Sequence, residues 1–424
     1  MHELIVIGGG AAGFFAAVNA ARLHPGAKIL LLEKSGKLLS KVRVSGGGRC
    51  NVTHACFDDA ELVKNYPRGA RELRQAFSRF STKDTIAWFA GRGVKLKTEA
   101  DGRMFPVTDN SETVIDCLLS EAKRYGVEIQ INSEVTNIEK TESGFAIHVN
   151  ADNLRVRLSA VETGPRTLTT HKLLIATGGS PKSSAYDFIR ALGHTIIEPV
   201  PSLFTFNMPG NPVRELMGLS VDPAVLRIPQ LKSGLSGALL VTHWGMSGPA
   251  VLKASAWGAR ELHANGYRFD ARVSWLPQRK EEELRGELQQ LREQEGPKQI
   301  SARSYFALPK RLWEFLLQKS GIEDALRWAD LSNKQLNKLA ETLLNDVYPV
   351  SGKTTFKEEF VTCGGVSLKE VDFKTMESRK CPGLFFAGEV LDIDGITGGF
   401  NFQSAWTTGW IASQPTVNPG GAGR

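Results

Sequence analysis

Three glycines near the start of the chain, Gly8, Gly10 and Gly13, stand in G-x-G-x-x-G spacing, and Glu33 follows twenty positions after the last. That spacing suits phosphate chemistry. Gly8 permits a tight turn, Gly10 lets backbone approach a pyrophosphate, and Gly13 lets a helix pack closely on a strand. A carboxylate at Glu33 accepts hydrogen bonds from a ribose 2′-hydroxyl and repels a 2′-phosphate. The pattern reads as a site for FAD or NAD and not for NADP. A second cluster, Ser45-Gly46-Gly47-Gly48-Arg49-Cys50-Asn51, sets many backbone N–H groups beside Arg43 and Arg49. Such a loop suits phosphates or the electron-rich edge of a flavin ring. A third, Gly398-Gly399-Phe400-Asn401, opens a helix whose dipole favours negative charge and whose glycines let backbone amides touch a ligand. Two residues are candidate proton donors: Cys50, where the cation of Arg49 could lower a thiol pKa and whose alternative is a small residue packed under the loop, and His243 in the Gly/Ser/Trp-rich turn Thr242–Pro249, whose alternative is a satisfied structural histidine.

The elements that must position these groups are legible around them. Glu3–Ile7 is apolar and β-favouring, Ala11–Leu23 has the composition of a buried helix, and His24-Pro25-Gly26 stop it. Lys28–Leu32 then form a second strand ending on Glu33. The apolar run Leu4–Ala21 lacks a positive n-region, and three consecutive glycines weaken it as a helix, which excludes a signal peptide. Residues 58–97 read as helical, with Phe77, Phe80, Trp88 and Phe89 covering a core. A helix over Glu112–Tyr125 buries Val114, Ile115, Leu118, Leu119 and Ala122, and strands follow at Val127–Ile131, Val135–Glu139 and Phe145–Val149. Lys172–Ile175 runs straight into Ala176-Thr177-Gly178-Gly179, which places backbone at the carboxyl edge of a parallel sheet, where cofactors sit. Gly383–Glu389 repeats that pattern as a buried strand ending on Gly388 and Glu389.

Between these two regions the texture changes. From about residue 195, four prolines and short apolar runs at Ala224–Ile228, Ala238–Thr242 and Tyr267–Trp275 suggest short antiparallel strands. Beyond Pro277, Leu284, Leu288 and Leu291 form one face of a solvated helix. Leu336, Leu339, Leu343 and Val347 line another that starts near Ser332 and ends before Pro349. The reading is an α/β chain with a dinucleotide-binding domain over 1–194 and 350–424, interrupted by an insert over 195–349. Its 424 residues suggest two or three domains. Hydrophobic residues at 42% supply a sizeable core. An odd five cysteines without zinc spacing argue against disulfides and metal, and fit a reducing, cytoplasmic compartment. No further run is long and apolar enough to span a membrane. A net charge of +7 permits an acidic partner, including nucleic acid. The tail Pro415–Arg424 reads as disordered.

The glycine clusters, with Thr242-His243-Trp244-Gly245, Ser247-Gly248-Pro249-Ala250 and Gly388-Glu389-Val390-Leu391-Asp392, resemble one family over essentially the whole chain. It is the bacterial FAD-binding flavoproteins described as aminoacetone-oxidase-like or bile-acid 3-dehydro-reductase-like. The resemblance implies a Rossmann-like, glutathione-reductase-type FAD domain built from both chain ends, with an inserted β-barrel plus helical domain. It implies FAD contacts at Ala12 and Lys34 beside the first turn, at the backbone of Val135 toward the adenine, and at Thr177 and Gly178. The final helix would point at the flavin's pyrimidine edge. With no second fingerprint for a nicotinamide, NADH or NADPH would visit the flavin transiently, on the face that the substrate uses. The expected reaction is hydride transfer from flavin N5 to a conjugated C=C bond of a small molecule. The alternatives are reduction of a uridine in large-subunit ribosomal RNA, an amino-ketone oxidase using O2, and a non-catalytic flavin-binding protein.

Overall fold

The opening apolar run forms a strand because it is buried on both faces, as a central parallel strand requires. In a computed structural model that describes residues 1–151, 164–354 and 361–414, strand β1 (His2–Ile7) leads through the glycine turn into α1 (Ala11–Leu23) and β2 (Ile29–Leu32). Leu4, Ile5 and Val6 and all four residues of β2 are buried. Then come α2 (Ser40–Gly48), β3 (Thr53–His54), the hairpin β4 (Leu96–Thr98) and β5 (Arg103–Pro106), and α3 (Glu112–Arg124). Strands β6 (Glu128–Gln130), β7 (Ser133–Thr141), β8 (Gly144–Ala151) and β9 (Gly164–Ile175) follow. The tail Pro415–Arg424 lies outside the described residues.

The chain separates into two compact units, Met1–Pro201 with Lys357–Arg424, and Ser202–Phe356. In the first, β6, β2, β1 and β9 pair side by side in parallel. The late strand Leu384–Phe386 joins the other edge of β9, also in parallel. The first half of β9 pairs antiparallel with β8 as well, so the hairpin β7–β8 extends the sheet. The chain leaves β1 on one side toward β2 and returns on its other side as β9. The order therefore reverses at the carboxyl end of β1, where ligands bind in open α/β sheets. Gly8–Gly10 occupies that point.

α1 packs the sheet with ten of its thirteen residues buried. Its buried Asn19 donates to Phe15 O (2.8 Å) and accepts from Trp88 Nε1 (2.9 Å). Phe15 meets Phe80, Trp88 and Phe89 with centroids 4.5–6.4 Å apart, within the range of favourable aromatic pairs. The last helix of the chain, Phe400–Ser413, lies against α1, and Gly409 allows it: a Cβ there would sit 2.7 Å from Ala12 O.

In the second unit the strands are β10 (Thr205–Asn207), β11 (Ser220–Arg227), β12 (Leu235–Thr242), β13 (Gly245–Ser247), β14 (Arg268–Ser274), β15 (Asp346–Ser351) and β16 (Lys353–Thr354). They pair antiparallel in the order β15-β14-β11-β12-β13-β10-β16. β15 and β16 are one strand broken at Gly352, whose N–H donates to Tyr267 O (2.9 Å) and whose carbonyl accepts from Asn207 N (3.0 Å). The two ends of the ladder thus meet and the sheet closes into a barrel. Its core continues into helices Lys310–Lys319 and Asn333–Leu344. Ser332 and Gln335 form a capping box on the second of these. Val347 departs from the sequence reading. The helix ends at Leu344, and Val347 is an exposed residue of β15. Asp346 beside it is buried, accepting from Trp275 Nε1 (3.0 Å), Lys319 Nζ (2.5 Å) and the Tyr348 hydroxyl.

Candidate functional site

The first group sits at the start of α1. A Cβ on Gly8 would lie 2.3 Å from Ala176 O, and one on Gly13 2.0 Å from Gly8 O, so both glycines are demanded by the protein's own packing. Gly10 is different. Its φ of −88° suits any residue and a Cβ there meets nothing within 4 Å. α1 also has no side-chain cap and no acidic residue in its first turn. Its first N–H groups have no intrahelical acceptor and carry the positive dipole end, the arrangement an anion needs. Nothing inside the protein accounts for a glycine at position 10, whereas a pyrophosphate lying against that backbone does, and on this ground the residues fit FAD.

Glu33, half-buried at the end of β2, accepts from Gly9 N and Ser35 N (both 2.8 Å), which fixes its carboxylate beside the turn. Lys34 is exposed, and Val135 is half-buried on β7 opposite Val149. Thr177 and Gly178 follow β9 at the same sheet edge. Gly179 lies against Glu389: a Cβ there would be 2.7 Å from Glu389 Oε1. Glu389 accepts from Thr362 N (2.8 Å) and Lys41 Nζ (2.7 Å), a partnership across 348 residues that no local pattern announces. Gly388 donates its N–H to Thr408 Oγ1 (2.9 Å), so that amide serves the fold.

The second cluster is more ordered than a plain loop. α2 is helical until Ser45, after which Gly46, Gly47 and Gly48 all take positive φ. Phe105 walls the turn, since a Cβ on Gly46 would meet its ring at 2.7 Å, and Gly48 O accepts from Ser111 N (2.9 Å). The two cations expected to face a ligand are engaged in ion pairs, Arg43 with Glu112, and Arg49 with Glu99 (2.6 Å). The Arg49 guanidinium also lies 4.0 Å from the Phe105 ring centroid. Cys50 corrects the sequence reading in direction. It is fully buried, and burial pushes its thiol up to about 12, because loss of water outweighs a hydrogen bond from Ser45.

The third cluster meets the second. α4 (Phe400–Ser413) starts from Gly399, again with no side-chain cap and no acidic residue in its first turn. With its amide oriented to satisfy both partners, Asn51 accepts from Gly399 N and donates to Thr53 O, each at 3.0 Å. The Gly399 amide is thus used internally, and the amides left to a ligand are those that follow it. Asn401 clamps its own loop, accepting from Gly395 N (2.8 Å) and donating to Gly395 O (2.9 Å). His54, which the sequence reading passed over, donates from Nδ1 to Gly398 O (3.0 Å) and stacks on Phe400 (4.6 Å). In the second unit, His243 stands between β12 and β13, its ring against Trp244 and its carbonyl accepting from Arg214 Nε (2.6 Å).

A nucleotide turn at the switch point of a parallel sheet, joined to the closing helix of the chain, makes this a Rossmann-type flavoprotein, and the protein is a FAD-dependent oxidoreductase. It belongs to the family described as HI0933-like protein Rossmann domain, whose model matches residues 2–415. The chain is 30% identical to a ribosomal RNA dihydrouridine synthase of Escherichia coli, with 98% of each chain covered. It is 28% identical to a 3-dehydro-bile acid delta(4,6)-reductase of Clostridium scindens, again over 98% of each. Among solved structures, a 3-ketosteroid-delta4-(5alpha)-dehydrogenase from Rhodococcus jostii RHA1 shares the fold with a TM-score of 0.50 at 12% identity, over 97% of both chains. Among the described residues, no helix is long and apolar enough to cross a membrane.

Proposed function

We propose that the protein reduces a C=C bond conjugated to a carbonyl, with NADH or NADPH as the electron source. The two curated relatives support this reading through a shared reaction. Forming dihydrouridine saturates a ring C=C next to a carbonyl, and a delta(4,6)-reductase acting on a 3-dehydro bile acid saturates bonds conjugated to the 3-oxo group. FAD, when bound, supplies the two-electron hydride chemistry.

The chain's own residues hold and bias it. Glu33 would receive the adenosine ribose, the α1 amides and the space at Gly10 would receive the pyrophosphate, and Val135 would back the adenine. Glu389 and the start of α4 would hold the far end of the cofactor. A helix end is worth up to ~2 kcal/mol toward negative charge when partly buried, or about 40 mV on a two-electron couple at ~30 mV per 1.4 kcal/mol. That biases the couple and leaves substrate choice to other groups. A thiol held near 12 releases its proton poorly at neutral pH, so Cys50 is a packing residue in this scheme, and His243 is the proton donor that remains from the sequence.

The observation that carries the reading is that the chain has one G-x-G-x-x-G fingerprint and not two. Nicotinamide and substrate then take turns in separate half-reactions. An anaerobic titration at 450 nm tests it: NADH or NADPH bleaches the flavin, and a cyclic enone or a uracil-containing acceptor restores the colour. A flavin bleached by neither nicotinamide overturns the proposal. So does one whose colour returns only with O2 and stoichiometric peroxide, which is the oxidase outcome.

A further inference from the structure

Four consecutive residues at the end of the glycine loop, Asn51–His54, each bond the closing helix or the two glycines that lead into it. Asn51 takes Gly399 N, Val52 O accepts from Trp406 Nε1 (2.9 Å), Thr53 Oγ1 donates to Gln403 Oε1 (2.6 Å), and His54 Nδ1 donates to Gly398 O. On α4 the partners 399, 403 and 406 fall at i, i+4 and i+7, which is one helix face. Behind them Gln403 Nε2 donates to Thr407 Oγ1 (3.0 Å), and Thr407 Oγ1 donates to Phe80 O (2.9 Å). Thr53, Gln403 and Thr407 are all fully buried.

Tyr66 OH also donates to Phe400 O (2.7 Å), and the packing around Trp406 is aromatic. Phe15 and Phe89 pack on Trp406 with centroids 5.3 and 5.7 Å away. Apolar side chains would fill the Thr53–Gln403 volume without desolvating an amide and a hydroxyl, so the polar pair adds little stability over them. What it adds is direction. A 2.6 Å hydroxyl–amide bond weakens when the helix slides, whereas apolar packing tolerates small slips. The influence of a helix end fades within its first turn, so the exact seat of that turn matters to any charge placed before it.

We infer that the segment Asn51–His54, with Thr53 and Gln403 at its centre, fixes the α4 N-terminus and the glycine loop as one piece against the flavin, and so sets how far the reduced cofactor is favoured over the oxidised one. Thr53 and Gln403 are positioning residues. The inference rests on the reading that the start of α4 faces the flavin.

The test equilibrates FAD-loaded protein with a reference dye under xanthine and xanthine oxidase, without nicotinamide or substrate. Thr53→Val and Gln403→Met should each lower the ratio of reduced to oxidised flavin about fivefold, which is about 20 mV more negative at 29.6 mV per tenfold. Thr53→Ser keeps the hydroxyl and should match wild type. Wild-type potentials in both disrupted variants, with only the melting temperature lowered, would make the bonds merely structural and overturn the inference. An equal shift in Thr53→Ser would overturn it too. Should Thr53→Val fail to fold, Gln403→Met decides by the same readings. A wild-type flavin that NADH and NADPH leave oxidised sinks the proposed reaction alone, since this measurement uses neither.

Discussion

Replacing Gly10 by alanine separates what the fold needs from what the cofactor needs. The residue's φ and ψ, −88° and −171°, lie in a region open to alanine, and a methyl there touches no protein atom within 4 Å. Gly→Ala at a compatible position stabilises by ~0.4–1 kcal/mol through the unfolded chain, and alanine in place of glycine at an N-cap gives back up to about 1 kcal/mol. The apoprotein should therefore melt within a few degrees of wild type. FAD should be another matter. On the proposed reading the methyl would stand where the pyrophosphate meets backbone, and losing two charge-assisted hydrogen bonds at ~1.5 kcal/mol or more each would weaken binding at least about 100-fold. The assay is fluorescence titration of apoprotein with FAD, paired with melting curves in its presence and absence. At an FAD concentration 100 times its Kd, wild type gains about 2.7 kcal/mol, whereas a variant bound 100-fold more weakly gains under ~0.5 kcal/mol. Gly13→Ala is the contrast, because its Cβ would fall 2.0 Å from Gly8 O and must disturb the turn itself. Unchanged FAD affinity in Gly10→Ala, or a melting temperature as low as that of Gly13→Ala, would refute the reasoning.

Other substitutions probe the surroundings. Arg68 grips the fully buried Asp394 through both Nε and a terminal nitrogen, so Arg68→Met breaks a buried ion pair and should cost ~3–5 kcal/mol in urea unfolding. A loss under ~1 kcal/mol would show that Asp394 is satisfied without it. Below pH 9 the Cys50 thiol is protonated folded and unfolded alike. Between its ordinary 9.0 and about 12 only the unfolded chain ionises, so stability should fall by about 1.4 kcal/mol per pH unit as pH rises. Cys50→Ala should remove that share of the alkaline slope, and an unchanged slope would mean that the thiol ionises while folded. His243→Asn should keep nicotinamide reduction of the flavin and lose turnover of the C=C substrate; normal turnover would remove His243 as the proton donor.

The β–α–β unit and its glycine turn were legible because every signal in them is local: apolar runs, a stop at His24-Pro25-Gly26, and an acid at a fixed distance. The helix over Glu112–Arg124 and the hairpin strands followed from short-range periodicity in the same way. Less legible were the partners. Arg49 beside Cys50 reads as a cation for a thiol or a flavin, and nothing local announces its ion pair with Glu99 or its place over Phe105, both from a hairpin fifty residues away. Val347 continued the 3.6-residue spacing of Leu336, Leu339 and Leu343. The helix had already ended, and burial of Tyr348 and Val350 set a period of two in its place. Thr53 and Gln403 lie 350 residues apart, so no window on the sequence joins them. One trace was available: Gln403 and Thr407 fall at i and i+4 among the polar residues that this largely buried helix carries.

That separation has a dynamic consequence. Residues 51–54 hold the start of α4 beside the glycine loop, and a local opening that frees the helix would also separate the two clusters proposed to meet the cofactor. Closing so long a loop is not itself prohibitive, since its cost grows only as (3/2)RT ln n; apolar packing around Trp406 opposes that cost, and the buried hydrogen bonds set where the helix sits. A ligand bound to the closed form alone suppresses the opening by the factor 1 + [L]/Kd. Amide exchange should then slow by up to about 100-fold in peptides covering Gly8–Phe15, Ser45–His54 and Gly398–Thr408 at an FAD concentration 100 times its Kd. The barrel strands β11 and β12 break none of these bonds when they open, and they should change far less. Exchange followed by mass spectrometry, apoprotein against FAD-loaded protein, reads this directly. Equal slowing in the barrel, or none at Gly398–Thr408, would mean that α4 stays docked without the cofactor and that its seat is set by apolar packing alone.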